Sequence, residues 1–354
     1  MDVAVIGAAG ACGRQLCLQL LERRILSSTS HLQLVTHHGG ASENELWGQR
    51  SDMQDAFSEW APSMEVVLDP EMIDADIVVM MAGATVSADP GKTPDRDALA
   101  RTNAGIFRTY AEVLGRSPRR PIVIVQSNPI ELAVQIFTEH LGPKQVLGAG
   151  ARSDSLRFAR EIASDLGVAS SDVFAAVLGQ HGDHLVPLWS RVDVRGMPAD
   201  QVAEYVERTR GGRSLSELPE RIREGKSAML ALIRAGRVRD SFEFVQAMPA
   251  DLRSAVKPFF THFTAGHTTE VVTARSAADI IQAFVDGVAM ALPAQVSVSG
   301  DWADSNELTG ELGVLVLLGP REWESIVPVE LAADEHAAMR VAVASIAEAA
   351  LLSG

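Results

Sequence analysis

Cysteine is almost missing: Cys12 and Cys17 are the only two in 354 residues. They fall on what reads as one helix, so no disulfide framework is on offer and a reducing compartment, the cytoplasm, is the expected home. Basic residues are also in short supply. Lysine and arginine number 31 against 46 acidic residues, for a formal net charge of −15. That balance disfavours nucleic acid, whose phosphates reward lysine and arginine stripes, and anionic membrane surfaces for the same reason. Neither is expected as a partner. No apolar run approaches the roughly 20 residues that a membrane span needs. The chain opens Met1-Asp2-Val3 with no basic stretch before the first apolar run, so no signal peptide is expected. Internal repeats and low-complexity linkers are lacking too. What remains is an ordinary globular composition, 47% hydrophobic and 22% charged, long enough for two lobes with hydrophobic cores.

The first half alternates short apolar runs with helical patterns. Residues 3–6, 32–35, 66–68, 77–81, 121–126 and 145–149 read as strands, and 15–22, 98–114 and 131–141 as helices. Strands apolar throughout, alternating with helices, imply a parallel sheet covered on both faces. The second half is mixed. Its patterns predict helices over 155–166, 276–291 and 334–352, strands over 173–178, 189–195 and 312–318, and a charged, mainly helical tract over 198–257. The expected fold class is α/β: an N-terminal Rossmann doubly wound parallel sheet over residues 1–150, then a mixed α+β catalytic and substrate-binding domain over residues 151–354. The border near Gly150 is set where the alternation ends.

Gly7-Ala8-Ala9-Gly10-Ala11-Cys12-Gly13 follows the first strand and opens the first helix. Small residues there let the backbone approach a pyrophosphate, which would sit at the positive end of the helix. A tight strand-to-helix turn needs glycine in any case, but the placement favours nucleotide binding. Gly7, Ala9, Gly10, Cys12 and Gly13 are the candidate contacts. The end of the second strand commonly carries an Asp or Glu against the adenine ribose. Here it reads Leu34-Val35-Thr36-His37-His38, and the acid is missing. Two readings stand side by side. Thr36, His37 and Ser42 leave room for the 2′-phosphate of NADP, or Glu43 or Glu45 substitutes from the loop and the cofactor is NAD.

Exchange of hydride with a 2-hydroxy acid needs an anchor for a carboxylate, a polariser for a carbonyl and one proton carrier near neutral pH. Arginine suits the carboxylate through bidentate bonding. Histidine suits the proton, with a carboxylate partner to fix its tautomer. Gly179-Gln180-His181-Gly182-Asp183-His184 follows a strand, and Ser153-Asp154-Ser155-Leu156-Arg157 begins a helix with Asp154 and Arg157 on one face. Singly, His181 reads as a turn residue and Asp154 as a helix cap paired with Arg157. Jointly, behind a nucleotide-binding half, they read as a site. No metal site is expected, because His37 and His38 are adjacent and His181 with His184 lack a third partner close in sequence.

Further segments extend the set: TNAGIF at residues 102–107, QSNPIEL at 126–132, SDSLRFARE at 153–161, GQHGDHLVPLWS at 179–190 and GHTTEV at 266–271. With GAAGACG at the start, in this order and spacing, the chain resembles the malate/lactate dehydrogenase family over nearly its full length. The GAAG turn leans towards the malate dehydrogenases. The resemblance implies an NAD(P)-dependent oxidoreductase of 2-hydroxy acids, malate dehydrogenase-like first. A dehydrogenase for a different 2-oxo acid, or a catalytically silent dinucleotide-binding sensor, is the alternative. It implies His181 as acid/base, Asp154 as its orienting partner and Arg157 as the clamp on the substrate's C1 carboxylate. Arg96 matches a mobile-loop arginine that polarises the carbonyl. Asn128 matches the residue bonding the substrate oxygen beside the nicotinamide, Thr268 a hydroxyl lining the pocket, and Asn103 a cofactor contact. A homodimer or homotetramer is implied as well.

The sequence departs from that family in two places. Malate dehydrogenases usually carry an arginine ahead of the mobile loop's Pro-Gly for the second carboxylate, and residues 84–94 contain none; alignment puts the position at Val86 or Ala88. Lys92 replaces the cation, or Asp89 faces the pocket and favours a neutral or amine-bearing substrate, or both face water. The stretch 209–263 is longer than its counterpart. Its charges, among them Glu217, Glu220, Arg221, Arg223, Glu224 and Lys226, read as a solvated helical face, with a subunit contact or a cover over the site as alternatives. Trp189, Trp302, Trp323, Phe259, Phe260 and Phe263 read as core or interface packing.

Overall fold

Four-residue runs with every side chain buried form the middle of the sheet: β1 (Val3–Ile6), β4 (Ile77–Met80) and β5 (Ile122–Val125). The computed structural model describes residues 1–353 apart from 40, 86, 88, 90–95, 268 and 301–307. In the first lobe these strands alternate with α1 (Ala11–Glu22), β2 (His31–Val35), α2 (Ala41–Ala56), β3 (Ser63–Val67), α3 (Arg96–Gly115), α4 (Ile130–Leu141) and β6 (Val146–Gly148). They pair in parallel in the order β3-β2-β1-β4-β5-β6. The order reverses between β1 and β4, and the crevice beyond the carboxyl ends of those strands is where such sheets hold ligands. Val3 and Val5 feed one core on the α1 side, whereas Ala4 and Ile6 feed another with Phe107 and Phe137. Alternate residues thus bury against helices on opposite faces, which is why these strands are apolar throughout.

The second lobe begins with α5 (Gly150–Leu166), β7 (Val173–Phe174), β8 (Val177–Gly179), β9 (Leu185–Pro187) and β10 (Asp193–Val194). Four helices follow: α6 (Ala199–Arg210), α7 (Leu218–Arg234), α8 (Val238–Gln246) and α9 (Ala250–Ala265). Then come α10 (Glu270–Asp286), β11 (Met290–Ser299), β12 (Thr309–Leu318), β13 (Trp323–Ile326) and α11 (Ala333–Ser353). Gln295 of β11 pairs antiparallel with Gly148 of β6, so among the described residues eleven strands of both lobes share one sheet.

Three expected elements differ. The run 173–178 is two strands: β7 pairs with β10 in a separate ribbon, and β8 joins the main sheet. The strand placed over 189–195 begins instead with one helical turn, Trp189–Arg191. Its indole packs edge-on against Phe158 with centroids 4.8 Å apart, a buried anchor that sets the local path. The helix carried to 291 stops at Asp286, because Gly287 takes the left-handed conformation at φ +63° and caps it. The extended residues beyond become β11.

Candidate active site

The glycine turn is sterically committed. Gly7 has φ +83°, and a Cβ on it would lie 2.7 Å from the Ala82 backbone nitrogen. A Cβ on Gly13 would come within 2.2 Å of the Gly7 carbonyl oxygen. Gly10 caps α1 without any side-chain cap bond, and no acid occupies the first turn. Ala9 is buried, Cys12 half-buried and Gly10 exposed. The α1 N-terminus therefore presents backbone N–H groups and a positive dipole end, which fits a dinucleotide pyrophosphate. Thr36 is buried under the following loop, its N–H on the Val67 carbonyl and its hydroxyl on Ser42 Oγ at 3.1 Å. His37 is exposed. Glu43 folds back over the same loop, accepting from the Gly39 N–H at 2.8 Å and pairing with His38 at 3.2 Å.

Asn103, 2% exposed, works as a clamp between strands. Its amide nitrogen donates to the Ala84 and Asn128 carbonyls at 3.0 and 2.7 Å, and its oxygen accepts from the Ala84 N–H at 2.7 Å. The segment after β4 is thereby tied to the end of β5, where Asn128 stands exposed. Arg96 is the first residue of α3; its side chain lies outside the described part, as do Thr268, Lys92 and Trp302 in full.

Three charged side chains meet where α5 approaches the turn after β8. His181 Nδ1 lies 2.7 Å from Asp154 Oδ2, and Arg157 Nη1 donates to Asp154 Oδ1 at 2.9 Å. Arg157 Nη2 donates to Thr269 Oγ1 at 2.8 Å. Burial alone would push the Asp154 carboxyl up, but the His181 and Arg157 charges outweigh it and hold the group below its ordinary 3.8. Burial alone would likewise favour neutral His181. The Asp154 charge and hydrogen bond, with Glu131 adding to them, raise it above 6.5 against the opposing Arg157.

Sequence reasoning missed two residues of this arrangement. Glu131 opens α4, and its Oε1 accepts from the His181 backbone N–H at 2.7 Å. Burial pushes its carboxyl up to about 7, the His181 N–H and charge opposing. Its ionisation is thus penalised, so its contribution to stability is intact below 4.5 and lost as pH rises through about 7. A carboxylate on the apolar opening of a helix was the available signal. Gly150 is the second. A Cβ there would stand 2.9 Å from His181 Cγ, so the imidazole is seated directly against bare backbone. Gly150→Ala is expected to displace the ring, lowering kcat by roughly tenfold or more and costing about 1–3 kcal/mol of stability. Steady-state rates with a thermal melt check this; an alanine variant at full rate would mean that the ring is not held by this contact.

The charged tract is not wholly a solvated face. On α7, Leu218, Ile222, Gly225 and Met229 are buried. Lys226 turns inward, paired with Asp183 of the His181 turn and 3.7 Å from the centre of the Phe259 ring. Arg223 is exposed and paired with Glu220, as expected of a solvated face. Trp189 and Trp323 are buried, and Phe259, Phe260 and Phe263 pack against the core. A cavity of about 720 Å³ lies beside Trp189 and Arg210. A smaller one, about 340 Å³, is lined by Arg157, Thr269, Lys257 and Thr261 and adjoins the charged cluster. Among the described residues no group of three His, Cys, Asp or Glu could hold a metal ion.

A nucleotide-type parallel sheet, continued into a second lobe that carries a histidine–aspartate–arginine cluster, defines a two-lobed dinucleotide-binding protein of the NAD type. Comparison with known proteins sharpens this. Residues 1–148 match the family model described as lactate/malate dehydrogenase, NAD binding domain, and residues 152–232 match lactate/malate dehydrogenase, alpha/beta C-terminal domain. The chain belongs to the lactate/malate dehydrogenase family. A malate dehydrogenase of Methanothermobacter marburgensis is 33% identical over 208 residues, 57% of this chain and 61% of that protein. The match thus spans about three fifths of that relative's length. An L-lactate dehydrogenase of Selenomonas ruminantium is 30% identical over 173 residues, 48% of this chain and 54% of that one. The crystal structure of Cryptosporidium parvum malate dehydrogenase superposes with a TM-score of 0.76 at 22% identity, covering 99% of this chain and 98% of that one, a likeness of fold.

Proposed function

We propose that this chain is an NAD-dependent dehydrogenase that interconverts 2-oxo and 2-hydroxy acids, with oxaloacetate and malate as the first pair to test. The observation that carries the reading is Asp154, whose two oxygens hold His181 Nδ1 at 2.7 Å and Arg157 Nη1 at 2.9 Å. One carboxylate thereby orients both a proton carrier and a carboxylate anchor. The nicotinamide, when bound, supplies or accepts the hydride. With Nδ1 engaged by Asp154, His181 Nε2 is the nitrogen left to exchange a proton with the substrate oxygen. Arg157, steadied by Asp154 and Thr269, grips the C1 carboxylate, and Asn128 bonds the substrate oxygen. Arg96 and Thr268 are assigned to polarising the carbonyl and lining the pocket on the family resemblance. The turn Gly7, Ala9, Gly10, Cys12 and Gly13 holds the pyrophosphate.

For the adenosine end, Glu43 on the Gly39 N–H supports NAD over NADP, since a carboxylate there repels a 2′-phosphate. His37, on the same loop, is exposed. A panel of 2-oxo acids with NADH and NADPH in parallel tests the proposal. Oxidation of NADH by oxaloacetate is expected, at a kcat/KM at least about tenfold above that with NADPH, and Glu43→Gln should narrow the gap. Equal use of both cofactors would sink the NAD assignment, and no oxidation with any 2-oxo acid would sink the dehydrogenase. Among the described residues no helix is long and apolar enough to cross a membrane. A cytoplasmic homodimer or homotetramer acting on small molecules completes the reading; sedimentation gives the oligomeric state.

A further inference from the structure

The charged tract over 209–263 has one side chain that reaches the turn carrying the proton carrier. On α7 the buried residues Leu218, Ile222, Gly225 and Met229 recur at helical spacing, and Lys226 stands at the edge of that stripe, one position after Gly225. Gly225 lets the helix approach its neighbours closely: a Cβ on it would stand 3.2 Å from Met248 Cε and 3.2 Å from Val256 Cγ2 of α9. That approach carries the Lys226 stem across Phe259 of α9, with Nζ 3.7 Å from the ring centre, and the ammonium pairs with Asp183 Oδ1. Both partners are largely enclosed, the lysine side chain 15% exposed and the aspartate 23%. The Arg223–Glu220 pair on the same helix stands open to water and is held far more loosely.

What the pair restrains follows from the turn itself. His181 is held on its near side: its N–H is bonded to Glu131, and its ring is bonded to Asp154 and packed against Gly150. On the far side comes Gly182 at φ +116°, where a Cβ would meet nothing within 4 Å. Glycine admits a wide range of backbone conformations there, and nothing packs beside it to narrow the range. The hydrogen bond that closes the turn, from the Gln180 N–H to the His184 carbonyl, is long at 3.3 Å. Asp183 is the first side chain beyond this soft joint. Its contact with Lys226 therefore restrains the turn two positions after the imidazole.

We propose that Lys226 is a positioning residue for the dehydrogenase reaction: held on α7 of the charged tract, it pins the His181 turn through Asp183 and so fixes where the imidazole meets the substrate oxygen. The proposal rests on the dehydrogenase reading and gives the tract a part in it. A double-mutant cycle tests it, read as the single-turnover rate of NADH oxidation with the 2-oxo acid that the parent chain uses best. Lys226→Met keeps an unbranched stem over Phe259 and removes the ammonium, and Asp183→Asn keeps the shape and removes the charge. Each is expected to slow the step roughly tenfold, because a small displacement of a reacting group has a large effect on rate. The steady-state KM for the 2-oxo acid and the affinity for NADH should stay within about twofold. Both changes break one contact, so the double variant should lie within about twofold of either single one. Glu220→Gln, which removes an exposed charge of the same helix, should leave the rate unchanged. Thermal melts accompany the rates, and if Lys226→Met does not fold, Asp183→Asn decides. Single variants at the parent rate, a raised KM in place of a slower step, or losses that multiply in the double variant would overturn the assignment, and the dehydrogenase reading would survive. A parent chain that oxidises NADH with no 2-oxo acid would overturn both.

Discussion

Replacing His181 with asparagine is expected to lower kcat by about 10²–10⁴-fold while leaving NADH affinity within a few-fold. Asparagine can still bond Asp154, so the seat survives and only the titrating nitrogen is lost. Steady-state kinetics in both directions, with fluorescence titration of NADH, separate the two effects. Turnover retained by the variant would remove His181 from the chemistry and revive the silent-sensor alternative.

The pH dependence follows from the same pair. Reduction of a 2-oxo acid needs protonated His181, and Asp154 raises the ring above 6.5. The reductive rate should therefore decline as pH climbs through that raised value, with the oxidative rate following the opposite course. Asp154→Asn should move the decline to lower pH. The stability linkage has two edges. His181, raised, contributes stability that is complete below 6.5 and lost as pH rises through its folded value. Asp154, lowered, contributes stability present above 3.8 and lost as pH falls through its folded value. The pair stabilises the fold most between 3.8 and 6.5.

Arg157→Lys is expected to cut kcat/KM by roughly 10²–10³-fold, although the charge is kept. The guanidinium reaches Asp154 through Nη1 and Thr269 through Nη2 at once, and that plane is what a carboxylate can meet in two parallel bonds. A lysine ammonium satisfies one partner at a time. Arg157→Leu should in addition lower stability by about 3–5 kcal/mol, because Asp154 would keep a buried charge with one counter-ion fewer. Rates and melts measured together distinguish the two variants. A lysine variant within twofold of the parent kcat/KM would mean that the substrate carboxylate is held elsewhere.

How far the sequence reaches differs along the chain. Residues 3–6, 77–80 and 122–125 were legible as buried strands because each side chain faces one or the other helix layer, so nothing polar interrupts the run. The turn at 7–13 was legible because sterics admit almost nothing else at Gly7 and Gly13. In the second lobe, β7 and β8 are separate strands of separate sheets, and no local pattern records which partner an apolar residue finds. The charged tract was mostly a solvated face, yet Lys226 turned inward to Asp183, a choice made by a neighbour 43 positions away.

Residue types and spacing alone determined the dinucleotide half, the order of the motifs and the identity of His181, Asp154 and Arg157 as candidates. Those are local matters, governed by backbone sterics and by which side chains can carry a proton or grip a carboxylate. Tertiary structure alone decided what surrounds them: Glu131 under the His181 backbone and Gly150 against its ring. Such contacts come from helices packing across a shared sheet, and the energy that selects them belongs to the assembled core.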